Sequence, residues 1–433
     1  MTLFGNFFAD SDAFPYCCAC CVSGLEDASV CGQMESNDGE SGTTAHRIPL
    51  LRLFQTFLRL GLTGFGGPAM IAYIREVVVR RRGWISDGTF RDGVALCQSI
   101  PGATAMQTVA YVGLRSGGPL GAAISYIAFG LPAFVLMVCF SALHQQAGGI
   151  PLITSVFAGL QVIVVALMAN ATLSLARGSV RYVRDAILAG ATALFLGLGG
   201  PPILAVVSSG AIALLAYRGV DLQEGGGMDA HASTPERQQR LTRVAVAIAC
   251  VWAVAIACLF FVNRPLFELG VMMTKIDLFA FGGGYASVPL MFHEVVDVRH
   301  WLDSKTFMDG IALGQVTPGP IVITATFVGY HVAGILGAIV ATLGIFTPSF
   351  VVLLAVAPHF DRLRRRILFQ RAIRGAFVCF VGLLLAATIR FAFSVPWNFL
   401  SAGIAAAALI ALQCKVDILW VVLVGACLSA VLL

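Results

Sequence analysis

Three stretches of this sequence, Pro119–Leu143, Pro151–Ala176 and Val244–Val262, carry no charged residue at all. Each is near or above the roughly 20 residues that cross a bilayer as a helix. A soluble helix of that length keeps a charged face toward water, and these have none. In lipid a backbone must satisfy its own hydrogen bonds, which leaves helices or closed barrels; runs this long select helices. Charged residues make up only 12% of the chain, against about a quarter in soluble domains. The expected fold class is an all-α polytopic membrane protein embedded in a lipid bilayer.

The second constraint is an internal repeat. Leu62–Pro68 reads LTGFGGP and Leu278–Gly284 reads LFAFGGG. Trp84 matches Trp301, Asp92-Gly93 matches Asp309-Gly310, Gln98 matches Gln315, Pro101-Gly102 matches Pro318-Gly319, and Pro132 matches Pro348. The offset stays at 216 or 217 residues throughout.

Loop charges orient the halves. Arg75–Gly83 carries four Arg and one Glu, while its counterpart His293–Lys305 carries two basic and three acidic residues. His144–Pro151 has no Lys or Arg, while His359–Arg374 has six Arg. By the positive-inside rule the repeats are inserted in opposite orientations, the inverted-topology arrangement of many secondary transporters. The apolar run at 244–262 has no counterpart in the first half and supplies the odd crossing that an inversion needs. The chain thus divides into a polar, disordered tail (1–46), a first repeat (47–217), a cytoplasmic linker (218–243), an extra transmembrane helix (244–263) and a second, inverted repeat (264–433). The first two segments of each half are expected to be broken hairpins that dip in and return, and the next four to cross.

The net charge is +5, with basic residues placed in short loops, so no nucleic-acid partner is indicated. Of twelve cysteines, Cys17, Cys18, Cys20 and Cys21 cluster in the tail. Palmitoylation, a metal site and a plain disordered tail are the readings open, the last ranking first because no His or separate Cys pair completes a metal set. Neither a cofactor nor a metal is expected. The sequence contains no P-loop, HExxH or GxSxG, so an enzyme is not expected either.

Gly and Pro break helices, and they recur at matched places: Gly66, Gly67 and Pro68; Gly282, Gly283 and Gly284; Pro101 and Gly102; Thr317, Pro318 and Gly319. Irregular backbone at membrane depth must be buried in protein or line a cavity. N–H groups freed at a half-helix start suit an anion. Arg59 and Lys275 each lie seven residues before a break, where a fixed cation would favour a dianion or simply snorkel to the interface. Gln98 and Gln315 offer uncharged donors and acceptors, or interhelical hydrogen bonds. Asp277 is a partner for Lys275 or a proton acceptor; Glu76 and Glu294 rank below it as coupling candidates. Asp92 and Asp309 are expected near segment ends as caps or salt-bridge partners.

These motifs resemble the chromate ion transporter family in its long, two-domain form. The resemblance rests on FGGP at Phe65–Pro68, RRRGW at Arg80–Trp84, ALCQSIPG at Ala95–Gly102, FGGGYASVPLM at Phe281–Met291, GQVTPGP at Gly314–Pro320 and TATFVGY at Thr324–Tyr330. It implies export of chromate or a related tetrahedral oxyanion such as sulfate, with the GGP, GGG and Pro-Gly residues forming the path. A secondary transporter in the plasma membrane is the leading expectation and a passive oxyanion channel the alternative; a homodimer is compatible with either. The family often has Pro-Gly-Pro where this chain reads Pro101-Gly102-Ala103, and the N–H restored at Ala103 is expected to relax that break.

Overall fold

The structure is a computed structural model describing residues 48–65, 67–146, 151–218 and 235–432. Gly66 and the cysteine cluster of the tail lie outside the described residues. The first half contains α1 (Leu50–Thr63), α2 (Gly67–Arg75, continued by a π turn Glu76–Arg81), α3 (Asp87–Ser99), α4 (Thr104–Gln146), α5 (Pro151–Ser179), α6 (Val183–Gly197) and α7 (Pro202–Ala216). Next comes α8 (Pro235–Val262). The second half repeats the order with α9 (Arg264–Phe279), α10 (Gly284–Phe292, with a π turn His293–Val298), α11 (Ser304–Val316) and α12 (Thr324–Val356). After the short α13 (Phe360–Arg364) it ends with α14 (Ile367–Ser394), α15 (Phe399–Gln413) and α16 (Ile418–Leu432). No strand occurs among the described residues.

The repeat extends to fine detail. Both hairpins carry a π turn, and in both an Arg stacks on the Trp that follows it: Arg82 on Trp84 at 5.1 Å and Arg299 on Trp301 at 4.9 Å. Positive-φ glycines kink α4 at Gly118 and α12 at Gly334. Thr172 and Thr388, equivalent residues of α5 and α14, meet side chain to side chain at 3.3 Å.

The broken segments double back on themselves. Glu268 in the first turns of α9 pairs with Arg299 beyond the π turn of α10 at 2.7 Å, and Lys275 pairs with Glu294 at 2.8 Å. Were α9 and α10 collinear, Glu268 and Arg299 would stand more than about 40 Å apart at 1.5 Å per residue. In the first half the Thr63 hydroxyl lies 3.2 Å from that of Tyr73, a distance that a straight α1–α2 rod cannot give. In the next segments a Cβ on Gly93 would strike the Tyr111 ring at 2.2 Å, and one on Gly310 the Phe327 ring at 2.4 Å. Those glycines let α3 and α11 lie flat on the arms of α4 and α12 that follow them.

Helix α1 shows why the hairpins stay seated. Its buried residues Leu53, Thr56, Phe57, Leu60 and Gly61 recur at helical spacing and form one stripe that packs on α4. The longer helices interlock the halves: α5 packs against α15 and α16, and α14 against α6 and α7. One polar clamp secures that exchange. Asp185 is fully buried, accepts the backbone N–H groups of Arg181 and Tyr182, and takes the guanidinium of Arg374 at 3.0 Å and the hydroxyl of Tyr217.

Five helices among the described residues are long and apolar enough to cross a membrane: spans within Thr104–Gln146, Ser155–Ser179, Gln238–Val262, Ile321–His359 and Ile367–Ser394. The extra helix begins at Pro235, inside the stretch read from sequence as linker. Pro suits the first helical turn, and the polar residues Gln238 and Arg240 continue the same helix past its apolar part. Val251, Val254 and Phe261 of α8 are exposed, as lipid-facing residues are.

Candidate functional site

The site grows out of the four helix breaks. After Ser99 the chain reads Ile-Pro-Gly-Ala; Pro101 has no N–H to donate and Gly102 takes φ +116°, so α3 cannot run into α4. The matching turn has Gly319 at φ +123°. Ala103 therefore does not relax the first break as expected, because the glycine before it sets the backbone. Between α9 and α10, Gly282 and Gly283 take φ +102° and +92°.

These breaks meet across the halves. The Gly102 N–H donates to the Ala280 carbonyl at 2.9 Å, and the Gly319 N–H donates to the Gly64 carbonyl at 3.0 Å. The two bonds are equivalents under the repeat: each joins the second break of one half to the first break of the other. A Cβ on Gly283 would sit 3.4 Å from the Thr104 hydroxyl, and one on Gly284 would sit 2.9 Å from Ile321. The half-helices that begin here, α2, α4, α10 and α12, bring their N-terminal ends to this crossing. Each such end carries roughly half a positive charge and unpaired N–H groups. The polar side chains beside it are uncharged. Gln315 is buried and hydrogen-bonds Tyr285 at 3.3 Å, and the buried Thr317 hydroxyl donates to the Leu313 carbonyl. An arrangement with donors, positive helix ends and no fixed carboxylate at the crossing suits an oxyanion that replaces its water shell with N–H groups.

The other sequence candidates fall in different places. Gly67 and Pro68 open α2, and Pro101 and Pro318 are buried at the breaks. Gln98 is exposed although its duplicate Gln315 is buried. Arg59 and Lys275 are also exposed, and Lys275 is held by Glu294 rather than by Asp277. Helical phase is the reason: residues 275 and 277 point about 200° apart on one helix. Glu294 binds Lys275 and Arg299, the latter at 3.8 Å, and is only 14% exposed, so it is not a solvated loop charge. Glu76 pairs with Arg80 and Arg81 at 3.4 and 3.5 Å. At the mouth of the first hairpin Arg82 has its pKa lowered, by burial first and then by the nearby Arg52 and Arg59.

Asp277 belongs to a buried cluster behind the crossing. Its carboxylate accepts the Ser349 N–H at 2.6 Å, one residue past the helix-interior Pro348. The Ser349 hydroxyl lies 3.2 Å from that of Tyr126, and Gln107 donates to the Pro101 carbonyl at 2.6 Å and to the Ser349 carbonyl at 3.4 Å. Asp277 is thus tied through Ser349 and Gln107 to the break at Pro101-Gly102. The repeat places Gly61 opposite Asp277 and Ala133 opposite Ser349, so the cluster exists in one half only.

A second polar cluster was not legible in the sequence. His144 at the end of α4 sits between Asp309 of α11 and His331 of α12, 3.2 Å from each, and Gln161 of α5 donates to Asp309 at 2.8 Å. Asp309 is 7% exposed; of the two roles expected of it, it is the partner of a basic side chain, His144, and not a helix cap. Asp303 is the residue that caps α11, accepting the Thr306 N–H. Among the described residues no group of three or more His, Cys, Asp or Glu has the geometry to hold a metal ion.

Comparison with known proteins agrees with this architecture. A family model described as chromate transporter matches residues 51–215 and again 267–430. An uncharacterized transporter of Methanocaldococcus jannaschii is 42% identical over 383 residues, 88% of this chain and 94% of that protein. The chromate transport protein of Cupriavidus metallidurans is 31% identical over 357 residues, 80% of this chain and 83% of that one. A chromate transport protein of Pseudomonas aeruginosa is 31% identical over 352 residues, 78% of this chain and 80% of that one. No solved structure matches.

Proposed function

Because the chain belongs to the chromate transporter family across both halves, we propose that it moves chromate or a related tetrahedral oxyanion such as sulfate by gradient-driven secondary transport, with the anion lodged where the four helix breaks cross. It is an integral, multi-pass membrane protein, and the plasma membrane is the proposed location. Export is the direction proposed, on the family likeness and on the basic loops that draw anions to the cytoplasmic face.

The observation that carries the reading is the reciprocal pair of hydrogen bonds, Gly102 to Ala280 and Gly319 to Gly64. They bring four positive helix ends to one place, from both halves, without a fixed charge of their own. Discontinuous helices whose N-termini face an anionic substrate near the repeat interface are the usual build of such transporters. In this reading Gly67, Gly282, Gly283 and Gly284 offer backbone N–H groups, and Gln315 and Thr317 lie beside the anion. Gly102 and Gly319, whose own N–H groups are spent on Ala280 and Gly64, hold the crossing together, and Pro68 opens its half-helix without a donor. Pro101 and Pro318 hold the turns open. Arg59 and Gln98 act at the mouths, and Lys275 with Glu294 serves to close its hairpin.

The test is flux of radiolabelled chromate and sulfate into proteoliposomes, with and without an imposed gradient. Uphill, gradient-dependent accumulation and exchange of label between the two sides are the expected results. Movement that only ever runs downhill would make the protein a channel, and no flux of either oxyanion would end the proposal.

A further inference from the structure

From a count of hydrogens along a partly buried chain of side chains, we infer that His144, Asp309 and His331 form a proton-binding site at the junction of the two halves. The chain has three links. His331 Nδ1 lies 3.0 Å from the Phe327 carbonyl oxygen, His331 Nε2 lies 3.2 Å from His144 Nδ1, and His144 Nε2 lies 3.2 Å from Asp309 Oδ2. The Phe327 carbonyl only accepts, so His331 Nδ1 must carry a hydrogen. Two neutral imidazoles hold one ring hydrogen each, and a carboxylate holds none. Three links need three hydrogens, and the deprotonated groups supply two. The chain as built therefore carries one extra proton, shared among His331, His144 and Asp309, and the cluster is neutral overall. When that proton leaves, the cluster becomes an anion and one link must open.

The opening link lies between the halves. His144 and its supports Gln161 and Phe157 come from the first half, and Asp309, His331 and Phe327 from the second. The rings of Phe157 and Phe327 stand edge-on to His144 at 5.0 and 5.2 Å and hold its ring in place between Asp309 and His331. Loss of the proton thus weakens a contact that holds the halves together, and movement of the halves exposes the site for proton exchange.

The neighbouring charges leave this proton to the three residues themselves. On α11 the other charge acting on Asp309 is Asp303. On α12 Tyr330 packs beside His331 at 6.3 Å. Helix α16, packed on α5 and α11, has no Asp, Glu, Lys, Arg or His. Helix α14, which also meets α11, brings Arg374 and Arg390, engaged by Asp185 and Asp297, and Arg371. The repeat does not copy the site. Asp92 and Arg115 stand opposite Asp309 and His331, and Phe360 and Phe377 stand opposite His144 and Gln161. An arginine does not titrate in the working range, so the chain has one such proton and not two.

As a coupling site this inference rests on the transport reading above, and two assays separate the two. In proteoliposomes whose membrane potential is clamped at zero, a gradient of one pH unit supports about a tenfold accumulation of chromate when one proton moves per dianion. Wild type is expected to show it, and His144→Gln, Asp309→Asn and His331→Gln to lose it while gradient-free exchange of labelled chromate persists. Variants that accumulate like wild type overturn the inference, as does a wild type that exchanges chromate yet ignores the pH gradient. The second assay needs no transport: NMR of the detergent-solubilised full chain carrying labelled histidine. His144 and His331 are expected to titrate as one linked step that Asp309→Asn displaces. Independent titrations, or a step unmoved in Asp309→Asn, overturn the site even where no variant is active.

Discussion

Gly102→Ala gives the most direct test of the crossed breaks. A Cβ on Gly102 would stand 2.3 Å from the Ser349 Cβ and 2.9 Å from Gln107 Nε2, with the backbone at φ +116°. Gly118 supplies the comparison, because its φ of +69° is equally foreign to alanine but a Cβ there meets nothing within 4 Å. Backbone strain of about 1–3 kcal/mol is common to both substitutions. Overpacking adds about 1–3 kcal/mol at Gly102 alone, and the difference between the two variants isolates that cost. Gly319→Ala, whose Cβ would meet only Ala133 at 2.8 Å, is expected to fall between them. Thermal unfolding in detergent, followed by the monodisperse fraction at one fixed heating rate, ranks the three, since membrane proteins rarely unfold reversibly. Exchange of labelled chromate should fall in the same order, because the displaced Gly102 N–H loses Ala280. Adding Ser349→Gly removes the struck atom and should recover about 1–2 kcal/mol as a coupling between the two sites. If Gly102→Ala matches Gly118→Ala in both assays, the breaks are not packed against one another as described, and the proposed anion site loses its frame.

Three further outcomes follow from single side chains. Asp185→Asn leaves the Arg374 guanidinium, 17% exposed, without its carboxylate, and loss of one partner of a buried pair costs about 3–5 kcal/mol; a large drop in melting temperature is expected, and an unchanged melt would refute the clamp. Asp277→Asn keeps an acceptor for the Ser349 N–H and should melt near wild type. Asp277→Ala orphans that donor and should cost about 1–3 kcal/mol, so equal melts for the two would show that Asp277 does not position the break. Asp87, held by Arg75 and Arg91, has its carboxyl pKa lowered to about 2. Its contribution to stability is complete above the unfolded value near 4 and is lost as the pH falls through about 2. The gap in melting temperature between wild type and Asp87→Asn should be constant at neutral pH and close below about pH 4.

What the sequence disclosed and what it withheld divide along a physical line. The breaks were legible because Gly and Pro act on the backbone where they stand: the Pro101-Gly102 and Pro318-Gly319 turns need no distant partner to exist. The doubling of the two halves, apart from the unmatched α8, was legible from the same local motifs. Pairing was not, because it depends on helical phase and on which helices meet. Lys275 and Asp277 are neighbours in sequence, yet the lysine is exposed on Glu294 and the aspartate is buried on Ser349. His144 and His331 are far apart in sequence and belong to different halves, so no local pattern joins them.

Reading by the repeat also has a blind side, since it rewards what is duplicated. The duplicated features here are backbone turns, and a symmetric pair of turns can face an anion from either membrane side equally well. A symmetric site alone gives no reason for one side to be preferred. The residues that could supply one break the repeat: Asp277 opposite Gly61, His144 opposite Phe360, His331 opposite Arg115. A proton held between His144 of the first half and Asp309 and His331 of the second has no repeat-related copy at the mirror junction, so its arrival and departure act on one orientation of the halves and not on its mirror. On the proposed reading the duplicated turns would make the path, and the unduplicated titratable groups would give the path a direction. Replacing the unduplicated groups should therefore leave exchange intact while abolishing accumulation, whereas replacing the glycines of the crossing should abolish both.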